Sequence, residues 1–240
     1  MSDLYSNYAK RVPHPRSQRF IRIWHKKLAD RVLAVTPSSR SWLEIGPGHG
    51  YIAEYVVKSD ITYQFVDNSE AIFNELINKG YRGHLGLVNT LPIDETFDVV
   101  YLSHVLEHCP TWSDAREMLI ACRRLLSPGG SIAIVSPDIL SWKNEFWNVD
   151  HTHGYPTSLR NVCQLLDDVG LKVTSAYHHR NGRNDLLTRA LFTILSLVPH
   201  RIIDRIISPQ RAKIADGPTY SWKAIFGWRQ IFVTAQIDSH

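Results

Sequence analysis

Two groups of residues in this chain could do chemistry. The first is the hexapeptide Ser103-His104-Val105-Leu106-Glu107-His108, joined further along by Asp150, His151 and His153. Histidine is the side chain best suited to taking a proton near neutral pH, and a neighbouring carboxylate such as Asp150 can orient an imidazole. His104, His108, Asp150, His151 and His153 are therefore the candidate catalytic groups. His104-Val-Leu-Glu107-His108 is also an H-x-x-E-H spacing, whose positions i, i+3 and i+4 share one helix face and could hold a cation. Glu107, His108 and His151 are the candidate metal ligands. Plain capping or packing competes with these roles at His108, and a simple polar loop competes at His151 and His153.

The second group is Glu44-Ile45-Gly46-Pro47-Gly48-His49-Gly50. Trp42 to Ile45 reads as a short buried strand that enters a glycine-rich turn, with a helix from about residue 51 to 57. Such a turn lets a ligand lie close to the backbone. The spacing differs from the dinucleotide fingerprint G-x-G-x-x-G, because Tyr51 stands where the third glycine would fall. An acid two residues before the first glycine repels a pyrophosphate and suits a cationic nucleoside, for which S-adenosylmethionine (SAM) is the common candidate. Asp67, about twenty residues beyond the turn, ends a second strand where a carboxylate can accept both ribose hydroxyls. Asp67 fits SAM and NAD alike, and Glu44 favours SAM.

With these motifs the sequence resembles the class I SAM-dependent methyltransferases. The shared features are E-x-G-x-G-x-G, the apolar strand Phe97 to Leu102, and the Leu126-Ser127-Pro128-Gly129-Gly130 turn before another apolar run. The resemblance spans roughly residues 40 to 178 and the last strand. It implies an α/β fold: a doubly wound, mostly parallel seven-stranded sheet whose last strand is antiparallel, here with a helical insertion between strands six and seven. It also implies a SAM site built from Glu44, Gly46, Pro47, Gly48, Gly50, Asp67, Asn68, Ser103 and His104. Many relatives hold adenine with an acid after the third strand. This chain has Asn89 and Thr90 there, so adenine recognition is expected to rest on backbone groups and Asn89. Small-RNA 2′-O-methyltransferases carry a metal-binding E-x-x-E-H segment at the place of the hexapeptide, with a further histidine. His104 replaces the first acid of that pattern here, so a divalent metal is an alternative and not the leading expectation.

The elements that must position these residues follow from periodicity. Ile21, Trp24, Leu28, Val32 and Val35 predict an amphipathic helix over 17–35, and Ile61 to Val66 a second strand. Ser69 is placed to cap a helix reaching about Lys79. A third strand is expected over 84–88, a fifth over 131–135, a helix over 156–169 closed by Gly170, and strands over 171–177 and 228–237. The Trp-, Asp- and His-rich stretch 136–155 should fold over the pocket from the end of strand five.

The rest of the chain bounds the function. At 240 residues it can bury one sizeable α/β domain. The expected division is an N-terminal lid and helix over 1–35, then the catalytic domain over 36–240 with its insertion at about 180–225. Tyr5 and Tyr8 could contact the cofactor from such a lid, although a frayed terminus explains them equally well. A net charge of +4, dispersed along the chain, gives no reason to expect a nucleic-acid partner. Three cysteines without C-x-x-C spacing read as reduced thiols of a cytoplasmic protein. Within the insertion, the apolar run over 184–210 with interspersed arginines could be a helical flap, a dimer contact or substrate cover, or a membrane-surface helix that makes the protein peripheral.

A hydroxyl acceptor has a pKa on the order of that of water, about 15.7, and needs a base or a metal. The leading expectation is SAM-dependent O-methylation of a small molecule or sugar/glycan intermediate by a histidine base. Trp142, Trp147, Trp222 and Trp228 could stack on sugar rings. His178, His179 and Arg180 at the exit of strand six could meet an anionic group. A metal-assisted variant, a nicotinamide-dependent oxidoreductase and a non-catalytic scaffold are the alternatives.

Overall fold

The computed structural model describes residues 15–180 and 228–237. Nearly all of the expected N-terminal lid and of the insertion, with its 184–210 run, lies outside the described residues, as do Tyr5, Tyr8 and Trp222.

Helix α1 (Pro15–Val35) leads to strand β1 (Ser41–Ile45), a short helix α2 (Ala53–Val56) and β2 (Thr62–Asp67). Then come α3 (Glu70–Asn78), β3 (Arg82–Leu85), β4 (Phe97–Ser103), α4 (Trp112–Arg124) and β5 (Leu126–Pro137). Two short helices, α5 (Ile139–Trp142) and α6 (Glu145–Val149), precede α7 (Leu159–Asp168), β6 (Leu171–His179) and β7 (Gln230–Ile237). The strands form one seven-stranded sheet in the order β3-β2-β1-β4-β5-β7-β6. β7 runs antiparallel to both β5 and β6, while the β1–β2, β1–β4, β2–β3 and β4–β5 pairs are parallel. This is the fold class the sequence predicts.

Alternation along the strands splits the core into two layers, because successive side chains point to opposite faces. Trp42, Phe65, Val99, Tyr101, Val135 and Phe232 pack with Leu28 and Val32 of α1, Val56 of α2 and Leu76 of α3. Leu43, Ile45, Val100, Leu102, Ile132 and Val233 pack with Leu119 and Cys122 of α4 and Leu166 of α7. Among the described residues, no helix is long and apolar enough to cross a membrane.

Several boundaries differ from the expectations. Val35 is exposed at the end of α1, where the Thr36 hydroxyl turns back to the Val32 carbonyl at 2.8 Å. α2 is only four residues long, since Gly50 at φ +72° cannot belong to a helix and Asp60 at φ +56° ends the turn that follows. The third strand lies over 82–85 and not 84–88: Leu85 pairs with Asp67, the end of β2, and the Gly86 N–H closes on the Asp67 carbonyl at 2.8 Å. The apolar pull of Leu87 and Val88 misleads there, because Leu87 is exposed and Val88 packs into the core from a loop. Leu126-Ser127-Pro128-Gly129-Gly130 is a bulge inside β5 and not a turn before it. Leu126 already pairs with Phe97, and the register resumes at Val99 with Ser131.

Candidate active site

β1 and β2 carry their acids into one recess. Glu44 is buried in β1, and the Tyr63 hydroxyl donates to its Oε2 at 2.5 Å. Burial pushes the Glu44 carboxyl up to about 8; the Tyr63 hydrogen bond opposes the rise and nearby Asp67 adds to it. Asp67 ends β2 and accepts from the Ser69 amide at 2.8 Å. Burial lifts this carboxyl to about 6, with the Ser69 bond offsetting part of the rise. Two buried acids that resist ionisation are suited to a cationic ligand, whose charge would compensate theirs. Between them lies the glycine turn, with Gly46, Gly48 and Gly50 all at positive φ. A Cβ on Gly46 would stand 2.7 Å from Val105 Cγ2, so the loop after β4 lies directly against this turn. From α1, the Arg22 guanidinium sits 5.4 Å from the centroid of the Tyr51 ring.

That loop carries the histidines. His104 follows β4 in the left-handed conformation at φ +57°, which is uncommon for a residue with a side chain. Its amide donates to the Val135 carbonyl at 2.8 Å. Its Nδ1 lies 3.1 Å from Oε1 of Glu107, and its Nε2 lies 3.1 Å from the Gln230 side-chain amide. Glu107 is fully buried and also accepts from the Ser136 hydroxyl at 3.1 Å. Burial alone would raise its carboxyl; the His104 hydrogen bond and the His104 and His108 charges outweigh that, so it stays below the ordinary range. The Gln230 amide nitrogen can only donate, so Nε2 of His104 carries the lone pair and Nδ1, beside Glu107, the proton.

His108 forms a second, parallel arrangement. Its Nδ1 is 2.7 Å from the Thr152 hydroxyl, which donates in turn to Asp150 at 2.7 Å. Burial lowers the His108 pKa, and the Glu107 charge only partly restores it. The Nδ1 of His153 donates to the Phe146 carbonyl at 2.5 Å, and the His108 and His153 ring centroids are 4.9 Å apart. One ligand atom each of Glu107, His108 and His153 falls within 4.8 Å of the others.

A sequence profile of the family described as "Methyltransferase domain" matches residues 16–176. The chain belongs to this family. Its fold is that of the class I SAM-dependent methyltransferases. No curated protein matches the sequence. Among solved structures, the chain is similar to a Haloferax volcanii methyltransferase in complex with the Trm112 methyltransferase activator, at 16% identity, TM-score 0.67 and 98% coverage of both chains. It is also similar to the N-methyltransferase NodS of Bradyrhizobium japonicum in complex with S-adenosyl-L-homocysteine (SAH), at 12% identity and TM-score 0.61, covering 92% of this chain and 88% of that one. The [4+2]-cyclase SpnF shares the fold at 16% identity and TM-score 0.62, with 88% and 80% coverage. At these identities the likeness describes architecture and leaves the acceptor open.

Within this methyltransferase fold, the structure gathers His104, Glu107, His108, His153 and, through Thr152, Asp150. His151 is exposed, so the histidine that joins Glu107 and His108 is His153. Pro47 accepts from the Gly50 amide, and Ser103 presents a buried hydroxyl. Asn68, Asn89 and Thr90 are exposed, and the Thr90 hydroxyl bonds back to the Leu87 carbonyl at 3.0 Å. Sequence reasoning missed Tyr63 against Glu44, Ser136 against Glu107, and Gln230 against His104. These pairs are 19, 29 and 126 residues apart, and only strand register brings them together. Thr152 had a local signal, since Asp-x-Thr places a hydroxyl and an amide on the preceding carboxylate.

Proposed function

We propose that this protein is a SAM-dependent O-methyltransferase acting on a hydroxyl of a small molecule or sugar/glycan intermediate, with His104 as general base and Glu107 as the carboxylate that holds it. The carrying observation is the 3.1 Å pairing of His104 Nδ1 with buried Glu107, on a loop packed against the glycine turn. Glu44, Gly46, Gly48 and Asp67 would hold SAM, with Pro47, Gly50, Asn68, Ser103 and the Asn89-Thr90 turn around them. Bound SAM supplies a methyl group already activated on a sulfonium, so the protein's tasks are placement and proton removal. His104 Nε2 takes the hydroxyl proton, and the Glu107 charge stabilises the imidazolium that forms. The Gln230 amide now on that nitrogen marks where the acceptor hydroxyl would lie. NodS transfers to nitrogen. A carboxylate-backed base suits the harder hydroxyl acceptor, which is the reason to favour oxygen here.

One observation favours a second reading. The donor set of Glu107, His108 and His153 suits a divalent cation, with Thr152 and the Phe146 carbonyl holding the two rings in the Nδ1–H form that leaves Nε2 for a ligand. These three residues would hold the ion, which would lower the pKa of a bound hydroxyl.

Calorimetric titration of SAH tests the assignment first. Micromolar binding is expected; binding of NADH instead, or of neither, would overturn it. Methyl transfer from labelled SAM to a panel of hydroxylated and amine acceptors then decides between oxygen and nitrogen.

A further inference from the structure

A second polar cluster lies on the α1 side of the sheet, and the transfer chemistry does not use it. Trp24 Nε1, His25 Nδ1 and Arg31 Nη1 of α1, Tyr101 Oη of β4 and both ring nitrogens of His179 in β6 are buried without a hydrogen-bond partner. Tyr101 and His179 are buried as whole residues, at 0% and 3% exposure. Buried polar groups in native proteins are nearly always paired, so a cluster of unpaired ones calls for an explanation.

The members are neighbours. The Trp24 ring is 4.6 Å from His25 and 5.8 Å from His104. Trp24 packs against the layer that holds Leu28, Val32, Tyr101 and Phe232, the His179 ring is 6.5 Å from that of Phe232, and the Arg31 charge reaches both Tyr101 and His179. The cluster is therefore continuous with the proposed base.

Its composition decides what it can bind. Trp Nε1–H and guanidinium N–H groups only donate, and imidazole and phenol can donate. The nearby acids are committed elsewhere: Glu107 to His104 and Ser136, Glu44 to Tyr63, and Asp138 to His178 and Arg229. Among the described residues, Arg31 has no carboxylate partner. Of these groups the Trp24 indole and the Arg31 guanidinium can only donate, and with no carboxylate on Arg31 they match a ligand that offers oxygen acceptors and a negative charge, beside imidazole and phenol groups that can donate or accept.

We propose that Arg31, His179 and Trp24 bind an oxyanion group, carboxylate or phosphate, carried by the methyl acceptor, so that its hydroxyl is presented to His104. The acceptor role rests on the methyl-transfer reading above; the anion site itself does not. Of the three residues the sequence offered for an anion, His178 pairs with Asp138, and it is His179 that faces the cluster.

The test uses the full chain saturated with SAH, titrated calorimetrically with inorganic phosphate and, separately, with acetate. Millimolar binding of at least one anion is expected, and the one that binds tighter names the group on the acceptor. Arg31→Gln should weaken that binding at least about tenfold while SAH affinity is retained. Arg116→Gln, whose partner is Asp168 on the surface, should leave it unchanged. If Arg31→Gln does not fold, His179→Gln carries the same expectation. Anion binding that survives the substitution at Arg31 or His179, or no binding of either anion to a chain that binds SAH, overturns the inference. Failure to bind SAH would instead count against the methyl-transfer reading, and the anion result from the SAH-free chain would still decide the site.

Discussion

His104 Nδ1 and Glu107 Oε1 lie 3.1 Å apart across a turn in which His104 takes a left-handed backbone. The Gln230 amide nitrogen on Nε2 leaves Nδ1, beside Glu107, as the nitrogen that keeps its proton, and Nε2 as the one that can take another. His104→Asn should lower turnover about 10²- to 10⁴-fold, the usual range for a lost general base, with SAH affinity unchanged. Asparagine is chosen because it tolerates φ near +57° better than alanine does. Glu107→Gln should lower turnover and alter the acid limb of the pH–rate profile, because the amide no longer stabilises the imidazolium. Full activity in both variants would end the base assignment.

The Glu44 carboxyl predicts a pH dependence. Its pKa in the fold is about 8 against an ordinary 4.5, so folding favours the protonated form. That contribution to stability is fully present below about pH 4.5 and is lost as pH rises through about 8. Thermal melts of the cofactor-free chain should therefore show declining stability across this window, with Asp67 contributing in the same direction between pH 3.8 and about 6. Glu44→Gln should flatten the decline and weaken SAM binding. Melts with the same pH slope in wild type and variant would remove the assignment.

Two glycines separate cofactor binding from packing. Gly46→Ala forces a side chain to φ +65° and to 2.7 Å from Val105 Cγ2. Left-handed strain and overpacking each cost on the order of 1–3 kcal/mol, and the loop that carries His104 must shift. Lower stability together with lost SAH affinity is expected. Gly83→Ala meets the Phe65 ring at 2.4 Å, far from the turn in sequence, on edge strand β3. It should lower stability while the remaining folded protein binds SAH normally.

Metal removal separates the two catalytic readings. Dialysis against a chelator should leave methyl transfer unchanged if His104 acts alone as the base. A loss restored by added divalent metal, and abolished by His153→Ala, would establish the Glu107–His108–His153 ion instead.

Much of this protein is written locally. The E-x-G-x-G-x-G turn, the acid closing β2 and the near-continuous apolar run Phe97 to Leu102 point to a parallel α/β sheet with a candidate nucleoside site at its carboxyl edge, because each is a short-range pattern of backbone freedom or burial. The Ser69 cap is legible for the same reason, as its hydroxyl reaches the Ile72 amide three residues on. Other features depend on contacts between distant segments. The third strand is displaced by pairing with β2, and the Pro-Gly-Gly segment becomes a bulge because Leu126 already has Phe97 as a partner. In the hexapeptide, sequence offers Asp150 as the acid for a histidine. The fold gives Glu107 to His104 and sends Asp150 to Thr152, because His104 turns left-handed while burial leaves Glu107 with His104 and Ser136 as its partners. Apart from His179 at the exit of strand six, the cluster of Trp24, His25, Arg31, Tyr101 and His179 has no sequence signal. It exists because α1 packs across the face of the sheet that carries β4 and β6, so its members become neighbours only when the chain is folded.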